Sequence, residues 1–315
     1  MSEAAPTLAE RLAGAVWGHL VGDALGVPYE FKAPEQIDVV DMTDRGLHGV
    51  PRGTWSDDGA LMLALLDSLL SAGFDPDDQG RRALAWATRQ AYTPDGEGPF
   101  DIGRTTQEAL RRIAGGTPAL DAGGTGERDN GNGSLMRVLP VALQDASADA
   151  RTLMARAHEA SRVTHAHPRA QVVCALYVLV ARKLLLGAER AAVLPDGSAE
   201  LRAEYRHDRD VTRLAELDAL EAWQRRTGAG YVLDSFWSAW DAFAGADSYR
   251  SAVVTAVKYG HDTDTTACIA GGLAGVYWGV SAIPGAWRSA MRGRQIVEPL
   301  VERLVASWPA NALTP

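Results

Sequence analysis

Two acidic segments near opposite ends of the chain have the residue types to hold a cation. Gly53-Thr54-Trp55-Ser56-Asp57-Asp58 runs straight into the apolar stretch from Ala60 to Leu66. Gly260-His261-Asp262-Thr263-Asp264-Thr265-Thr266 runs straight into Ala267–Gly275. In each, carboxylates and a hydroxyl stand at the entrance of a helix that must be buried. Carboxylates held that close repel one another unless positive charge lies between them. Within the two clusters the donors are oxygens, His261 being the exception, and oxygen donors favour a hard cation such as Mg²⁺ or Mn²⁺ over zinc. The plainer alternative is a pair of N-caps, because Ser, Thr and Asp are preferred capping residues. One Asp suffices for a cap, so the doubled acids exceed what capping needs.

Other segments carry weaker signals. Asn130-Gly131-Asn132-Gly133-Ser134 leads into Leu135-Met136-Arg137-Val138-Leu139-Pro140. Its glycines allow backbone N–H groups to face an anion at a helix N-terminus, or they make an ordinary Asn-Gly turn. Thr164-His165-Ala166-His167-Pro168 spaces two histidines one residue apart. Such a pair can bind zinc, but without further ligands it reads as a surface turn or a ligand-contacting His. Asp101, in Phe100-Asp101-Ile102-Gly103, precedes a helix and by itself reads as a cap. Glu30 lies between Tyr29 and Phe31. Partial burial there would raise its pKa and suit it to proton transfer; the alternative is an exposed loop glutamate.

The elements that must position these groups are helical. From Leu8 to Leu25 the apolar pattern carries Gly14, Gly18 and Gly22, with Gly26 just beyond, one glycine every four residues. On a helix that spacing makes a ridge without side chains, which another backbone can approach closely. Arg11, His19 and Asp23 argue against a membrane version of the motif. Pro28 ends the run. Gly271, Gly272 and Gly275 give the last long helix a matching small face, so the two helices are predicted to pack together and bring both acid clusters to one place. Asp57–Ala72 reads as one amphipathic helix closed by Gly73. Periodicity also predicts helices over Asp78–Ala91, Ile102–Ala114, Ser134–Gln144, Ser147–Val163, Ala170–Leu186, Leu214–Arg226, Asp234–Ala244 and Tyr249–Tyr259. Strand alternation is nearly absent. The expected fold is all-α, a compact multi-helix orthogonal bundle forming one domain over residues 1–315. Residues 1–7 are expected to be flexible. Leu194–Asp210 is charged and irregular, marking 188–212 as a surface excursion.

The chain of 315 residues is 46% hydrophobic and 23% charged, ordinary for a globular protein. Its net charge of −9 argues against nucleic acid or an anionic membrane as the main partner. Cys174 and Cys268 both lie in apolar runs, as buried free thiols would. The first seven residues lack the basic and apolar regions of a signal peptide. The longest apolar run, Ala170–Leu186, is interrupted by Arg182 and Lys183, which reads as a buried helix and not a span. A cytoplasmic monomer is expected.

Taken together, Gly14–Glu30, Gly53–Leu66, Phe100–Ala109, Gly131–Pro140, Thr164–His165 and Gly230–Gly279 resemble the ADP-ribosylglycohydrolase family, including the dinitrogenase reductase-activating glycohydrolases. The Ser/Thr-Asp-Asp element followed late in the chain by Asp-x-Asp-Thr is its specific mark. The resemblance implies an all-helical domain around a binuclear centre of two Mg²⁺ (or Mn²⁺). Carried over by position, the metal ligands are Ser56, Asp57, Asp58, Asp262, Asp264 and Thr265. Glu30 and Asp101 match the acids that would manage the proton, and sequence does not choose between them. Gly131, Asn132, Gly133 and Ser134 match the loop lining the ADP-ribose cleft, and His165 matches the family's Thr-His position. One departure is Gly59, where the family commonly has Thr; the hydroxyl lost there supports ligands instead of being one.

The activity implied is hydrolysis of the glycosidic bond between ADP-ribose and an acceptor. Asp101 in its Phe-Asp-Ile-Gly setting tilts the acceptor towards arginine on ADP-ribosylated protein. Serine-linked or other O-linked ADP-ribose, a two-metal phosphoesterase acting on the pyrophosphate, and a non-catalytic ADP-ribose-binding protein are the alternatives.

Overall fold

The computed structural model describes residues 5–38, 40–44, 46–94 and 98–309. Among these residues there are 15 α-helices. In chain order they are α1 (Leu8–Gly26), α2 (Asp57–Ala72), α3 (Pro76–Arg89), α4 (Arg104–Ala114), α5 (Ala119–Ala122), α6 (Pro140–Leu143), α7 (Ala150–Arg162) and α8 (Pro168–Leu185). They continue with α9 (Arg190–His207), α10 (Val211–Ala222), α11 (Val232–Ala244), α12 (Tyr249–Val257), α13 (Thr263–Trp278), α14 (Gly285–Ala290) and α15 (Arg294–Ala306). The only β-pairing among the described residues is two isolated bridges, Gly124 with His165 and Gly131 with Tyr231. The fold is all-α. No described helix is long and apolar enough to cross a membrane.

The glycine ridge decides how the centre is built. A Cβ placed on Gly14 would lie 2.2 Å from Gly275 O, on Gly18 2.4 Å from Gly271 O, on Gly22 2.2 Å from Ala267 O, and on Gly26 2.4 Å from Asp264 Cα. As residue numbers rise on α1 they fall on α13, so the two helices run antiparallel with backbones nearly touching. Every step of four residues along α1 meets the next turn of α13. Tyr249, from α12, closes the seam by donating its hydroxyl to Gly18 O at 2.7 Å. The C-terminal end of α1 is thereby fixed against the N-terminal end of α13, which carries the second acid cluster.

Gly18→Ala tests that seam. A methyl driven against a backbone oxygen cannot be relieved by a rotamer change, so the loss should reach or exceed the roughly 1–3 kcal/mol typical of overpacking. Urea unfolding measures it; a variant as stable as the parent would contradict the close approach.

The first acid cluster joins the same end through Asp23. Its carboxylate accepts from Ser56 N at 2.9 Å and from Gly59 N at 2.7 Å. A buried carboxylate on the unpaired N–H groups of a helix N-terminus is a favourable arrangement. α2 itself is buried along most of its length, as its almost uninterrupted apolar sequence requires.

Several expectations need correction. Residues 190–207, within the segment expected to be an irregular surface excursion, form α9 despite Pro195 and Gly197, with Val193, Leu201 and Tyr205 buried. Packing outweighs local propensity here: a Cβ on Gly197 would sit 3.3 Å from Leu176 on α8. The helix predicted over Ser134–Gln144 contracts to Pro140–Leu143, and residues 133–137 are turns. α13 is not the last long helix, because α15 follows it with Pro299 in its interior. Of the N-terminal segment expected to be flexible, residues 1–4 lie outside the described residues, while Thr7 caps α1 through a capping box with Glu10.

Candidate active site

Where α1, α2 and α13 converge, a cavity of about 510 Å³ opens. Its wall includes Glu30, Asp57, Asp58, Asp101, Asp262 and Thr265, and with them Arg104, Arg128, Gly131, Asn132, Gly133 and His165. Segments separated by most of the chain's length therefore meet at one polar cleft.

Asp57, Asp58 and Asp264 are buried, and Asp262 is half-buried. Asp23, Asp58 and Asp264 bring carboxylate oxygens within 4.8 Å of one another, as do Glu30, Asp262 and Asp264. Ser56 occupies the N-cap of α2, its hydroxyl accepting from Asp58 N at 3.2 Å. Thr265 donates its hydroxyl to Asp58 Oδ1 at 3.2 Å, linking the two clusters directly. Asp262 stands at the N-cap of α13 but makes no side-chain capping bond. Its Oδ2 instead accepts from Asn132 Nδ2 at 2.8 Å. Capping thus accounts for Ser56 and not for the acid cluster.

Among the described residues no Lys or Arg pairs with Asp57, Asp58, Asp262 or Asp264. Asp264 Oδ2 is buried without a hydrogen-bond partner. Burial is the first cause that pushes Asp57, Asp58 and Asp264 well above the usual carboxylate range, and mutual repulsion adds to it. Buried oxygen donors with excess negative charge and an orphaned oxygen fit a hard divalent cation. Cys268 Sγ lies 3.4 Å from Asp58 Oδ2, as a thiol donor to that carboxylate.

Asp23 was missed as a site residue, although an acid in the middle of a buried glycine-ridge helix was its signal. Burial raises it to about 7, against the lowering effect of the Ser56 and Gly59 amides. Gly59 is explained by the same contacts. A Cβ there would meet Leu20 Cδ2 at 2.7 Å and Trp55 Cγ at 2.8 Å. Trp55 fills the space a larger residue would need.

Glu30 is not an exposed loop residue; it is 5% exposed. Its Oε2 is hydrogen-bonded to His48 Nε2. Glu30, His48 and Asp101 hold ligand-type atoms within 4.8 Å of one another. Burial, then the charges of Asp101, Asp262 and Asp58, raise Glu30 to about 10, while Asp101 rises only to about 6. Two adjacent carboxyls with their pKa values pushed apart divide into a proton holder and a proton acceptor. Asp101 is not the cap of α4, a position held by Gly103. His48 carries no sequence motif, and only folding brings its loop to Glu30.

The glycine loop and the turn bearing His165 are held by the two β-bridges. Asn132 N donates to Gly230 O at 3.1 Å, and Val232 N to Asn130 O at 3.0 Å. Gly124 N donates to Thr164 O at 2.9 Å, which fixes the turn bearing His165. Gly133 must lack a side chain, since a Cβ would sit 2.8 Å from His165 Cε1 and 3.0 Å from Thr106 Oγ1. Ser134 does not line the cavity; its hydroxyl accepts from Ser161 Oγ at 2.9 Å in the core. The expected anion site at a helix N-terminus is also absent, because no helix begins at Ser134. The arginines on the cavity wall are Arg104, which is paired with Glu108 and Asp129, and Arg128.

His165 is buried beside Arg137, and burial lowers it to about 3. Arg137 donates to Thr164 Oγ1 at 2.8 Å, and Thr164 Oγ1 lies 2.8 Å from His165 Nδ1. The imidazole is thus neutral and tied through Nδ1 to the Thr164 hydroxyl. His167 is no metal ligand: it caps α8, Nδ1 accepting from Arg169 N at 3.2 Å.

The family model described as ADP-ribosylglycohydrolase matches residues 4–313. An ADP-ribosyl-[dinitrogen reductase] glycohydrolase of Rhodospirillum rubrum is 30% identical over 295 residues, covering 90% of this chain and 91% of that protein. ADP-ribosylarginine hydrolase Tri1 of Serratia proteamaculans (strain 568) is 27% identical over 305 residues, covering 95% of this chain and 80% of the relative. A solved structure titled ADP-ribosylglycohydrolase-related protein complex superposes with a TM-score of 0.79 at 32% identity, covering 96% of this chain and 99% of that one.

Proposed function

This chain belongs to the ADP-ribosylglycohydrolase family, and from that premise we propose that it hydrolyses the glycosidic bond linking ADP-ribose to arginine side chains of modified proteins. The observation that carries this reading is one cavity whose wall gathers carboxylates from both acid segments together with Arg104, Arg128 and the glycine loop. ADP-ribose has a group for each, with a neutral ribose diol at the scissile end and an anionic pyrophosphate further along.

Ser56, Asp57, Asp58, Asp262, Asp264 and Thr265 would hold the two divalent ions, Mg²⁺ or Mn²⁺. When bound, such a pair offsets the carboxylate charge and gives the ribose diol a Lewis-acid anchor. Asn132 orients Asp262 through its Nδ2 donor. Gly131 and Gly133 let the substrate backbone-side atoms approach closely, and Arg128 and Arg104 face the pyrophosphate. His165, neutral through burial, stands beside the glycine loop on the cavity wall.

The bond that breaks joins the anomeric carbon to the acceptor nitrogen. Glu30, the more deeply buried of the two acids and the one whose protonated form burial favours, gives its proton to the departing nitrogen. Asp101, the more acidic partner, takes a proton from the water that attacks the anomeric carbon. Developing oxocarbenium charge is stabilised by the surrounding carboxylates. The names of the relatives support this acceptor, one being an ADP-ribosylarginine hydrolase.

A panel of peptides carrying ADP-ribose on arginine or on serine tests the proposal. ADP-ribose should be released fastest from the arginine peptide in the presence of Mg²⁺ or Mn²⁺. Release from neither peptide would overturn it, and a clear preference for serine would overturn the acceptor assignment.

A further inference from the structure

Three residues on the cavity wall other than glycine have left-handed backbone: Phe31 (φ 62°), Asp101 (φ 60°) and His261 (φ 58°). For a bulky aromatic residue such a conformation is an outlier. Backbone strain of this kind persists where surrounding structure enforces it, commonly at sites of function. Here the enforcement is visible. Phe31 N donates to His261 O at 2.6 Å, and His261 N donates to Lys32 O at 2.8 Å. The two strained residues thus clamp the loop after Glu30 to the loop before Asp262.

The side chain this clamp presents is unusual for a folded chain. Phe31 is 62% exposed, on the wall of the cleft that holds the acids. It is followed by two further rings: the Phe31 and His48 centroids are 6.4 Å apart, and those of His48 and Phe100 are 4.9 Å apart. Glu30 and Asp101 stand beside the row, with His48 bonded to Glu30. Burying this ring against the core is what its apolarity alone would favour, and the strained backbone prevents it.

Building on the proposed hydrolysis at the neighbouring carboxylates, we propose that Phe31, with His48 and Phe100 behind it, forms an acceptor subsite that selects a planar cation, the guanidinium of arginine. Aromatic faces and carboxylates both attract a cation. A planar guanidinium stacks on a ring in a way that an ammonium or a hydroxyl does not. A serine-linked or ester-linked acceptor presents neither charge nor plane, so the row of rings gives it no advantage. Phe31 is a specificity residue in this account, touching the leaving side chain and not the ions.

The test compares the full-length protein with Phe31→Leu, which keeps an apolar side chain and removes the aromatic face. Loss of a cation–π contact should reduce kcat/KM on an ADP-ribosylarginine peptide by about ten-fold, leaving an ADP-ribosylserine peptide and the affinity for ADP-ribose unaffected. In parallel, NMR titration with Nα-acetylarginine amide and its uncharged isostere Nα-acetylcitrulline amide should show the arginine probe bound more tightly, with the difference lost in Phe31→Leu. Equal binding of the two probes to the parent, or equal changes on both peptides, would overturn the subsite. If the parent releases ADP-ribose from neither peptide, the hydrolysis reading fails, while the two-probe comparison still decides whether the rim selects guanidinium.

Discussion

Asp264→Ala is expected to lower hydrolysis of ADP-ribosylarginine by about three orders of magnitude or more while leaving a folded helical protein. The kinetic loss follows from removing a carboxylate shared by both acid groups, one oxygen of which has no protein partner. Several kcal/mol of transition-state charge stabilisation depend on a correctly held cation. Stability should move in the other direction. Without divalent ions, Asp264 is buried among like charges from Glu30, Asp58 and Asp262. Replacing an uncompensated buried charge by a small apolar residue relieves repulsion, so the ion-free variant should melt at or above the temperature of the parent. Circular dichroism melts in EDTA, beside the rate assay, separate a ligand from a structural acid. Full activity in Asp264→Ala would exclude its role as a ligand, and a large drop in ion-free stability would make it structural.

The second large effect is a linkage between divalent ions, pH and stability. In the folded chain Asp101 lies near 6, Asp23 near 7 and Glu30 near 10, with burial as the main cause each time. Unfolded carboxyls titrate at about 4. Between those limits the native state keeps protons the unfolded state has lost. The contribution of these three groups to the stability of the ion-free protein is therefore full below about pH 4 and is lost as pH rises through the folded values. Divalent ions bind the ionised carboxylates and restore what is lost. At a hundred-fold excess over Kd, binding adds about 2.7 kcal/mol, roughly 5 °C or more in Tm for a chain of this size. The shift on adding Mn²⁺ should be large at pH 8 and close to nil at pH 5. Equal shifts at both values would mean that the ions bind elsewhere.

How much of this could be read from residues alone depended on whether the signal was periodic. Glycines at 14, 18, 22 and 26 make a one-sided ridge that has few uses other than close helix packing, so the α1–α13 seam and the meeting of the acid clusters were legible. α9 and α15 were not, because Pro195, Gly197 and Pro299 look like breakers until neighbouring helices are in place. The turn at 133–137 was misread as helix because its apolar residues are buried individually and not along one face.

The site divides in the same way. Ser56, Asp57, Asp58, Asp262 and Thr265 sit in short local motifs, and the structure gathers them with Asp264. Asp23 was passed over because its role lies in its backbone partners at Ser56 and Gly59, which no spacing reveals. His48 and Arg128 come from segments without motif, and only the chain's path brings His48 to Glu30 and Arg128 to the cleft; Arg104, directly after the Phe-Asp-Ile-Gly segment, was passed over inside a legible stretch. Ser134 shows the converse: a residue inside a legible loop whose side chain turns into the core.

The central claim, cleavage at the anomeric carbon by the acid-lined cleft, is tested most directly by identifying the products formed from an ADP-ribosylarginine peptide with Mg²⁺ or Mn²⁺ present. Chromatography with mass detection should find free ADP-ribose and the unmodified arginine peptide in equal amounts. AMP together with a phosphoribosylated peptide would contradict the account and make the cleft a pyrophosphate-cleaving site.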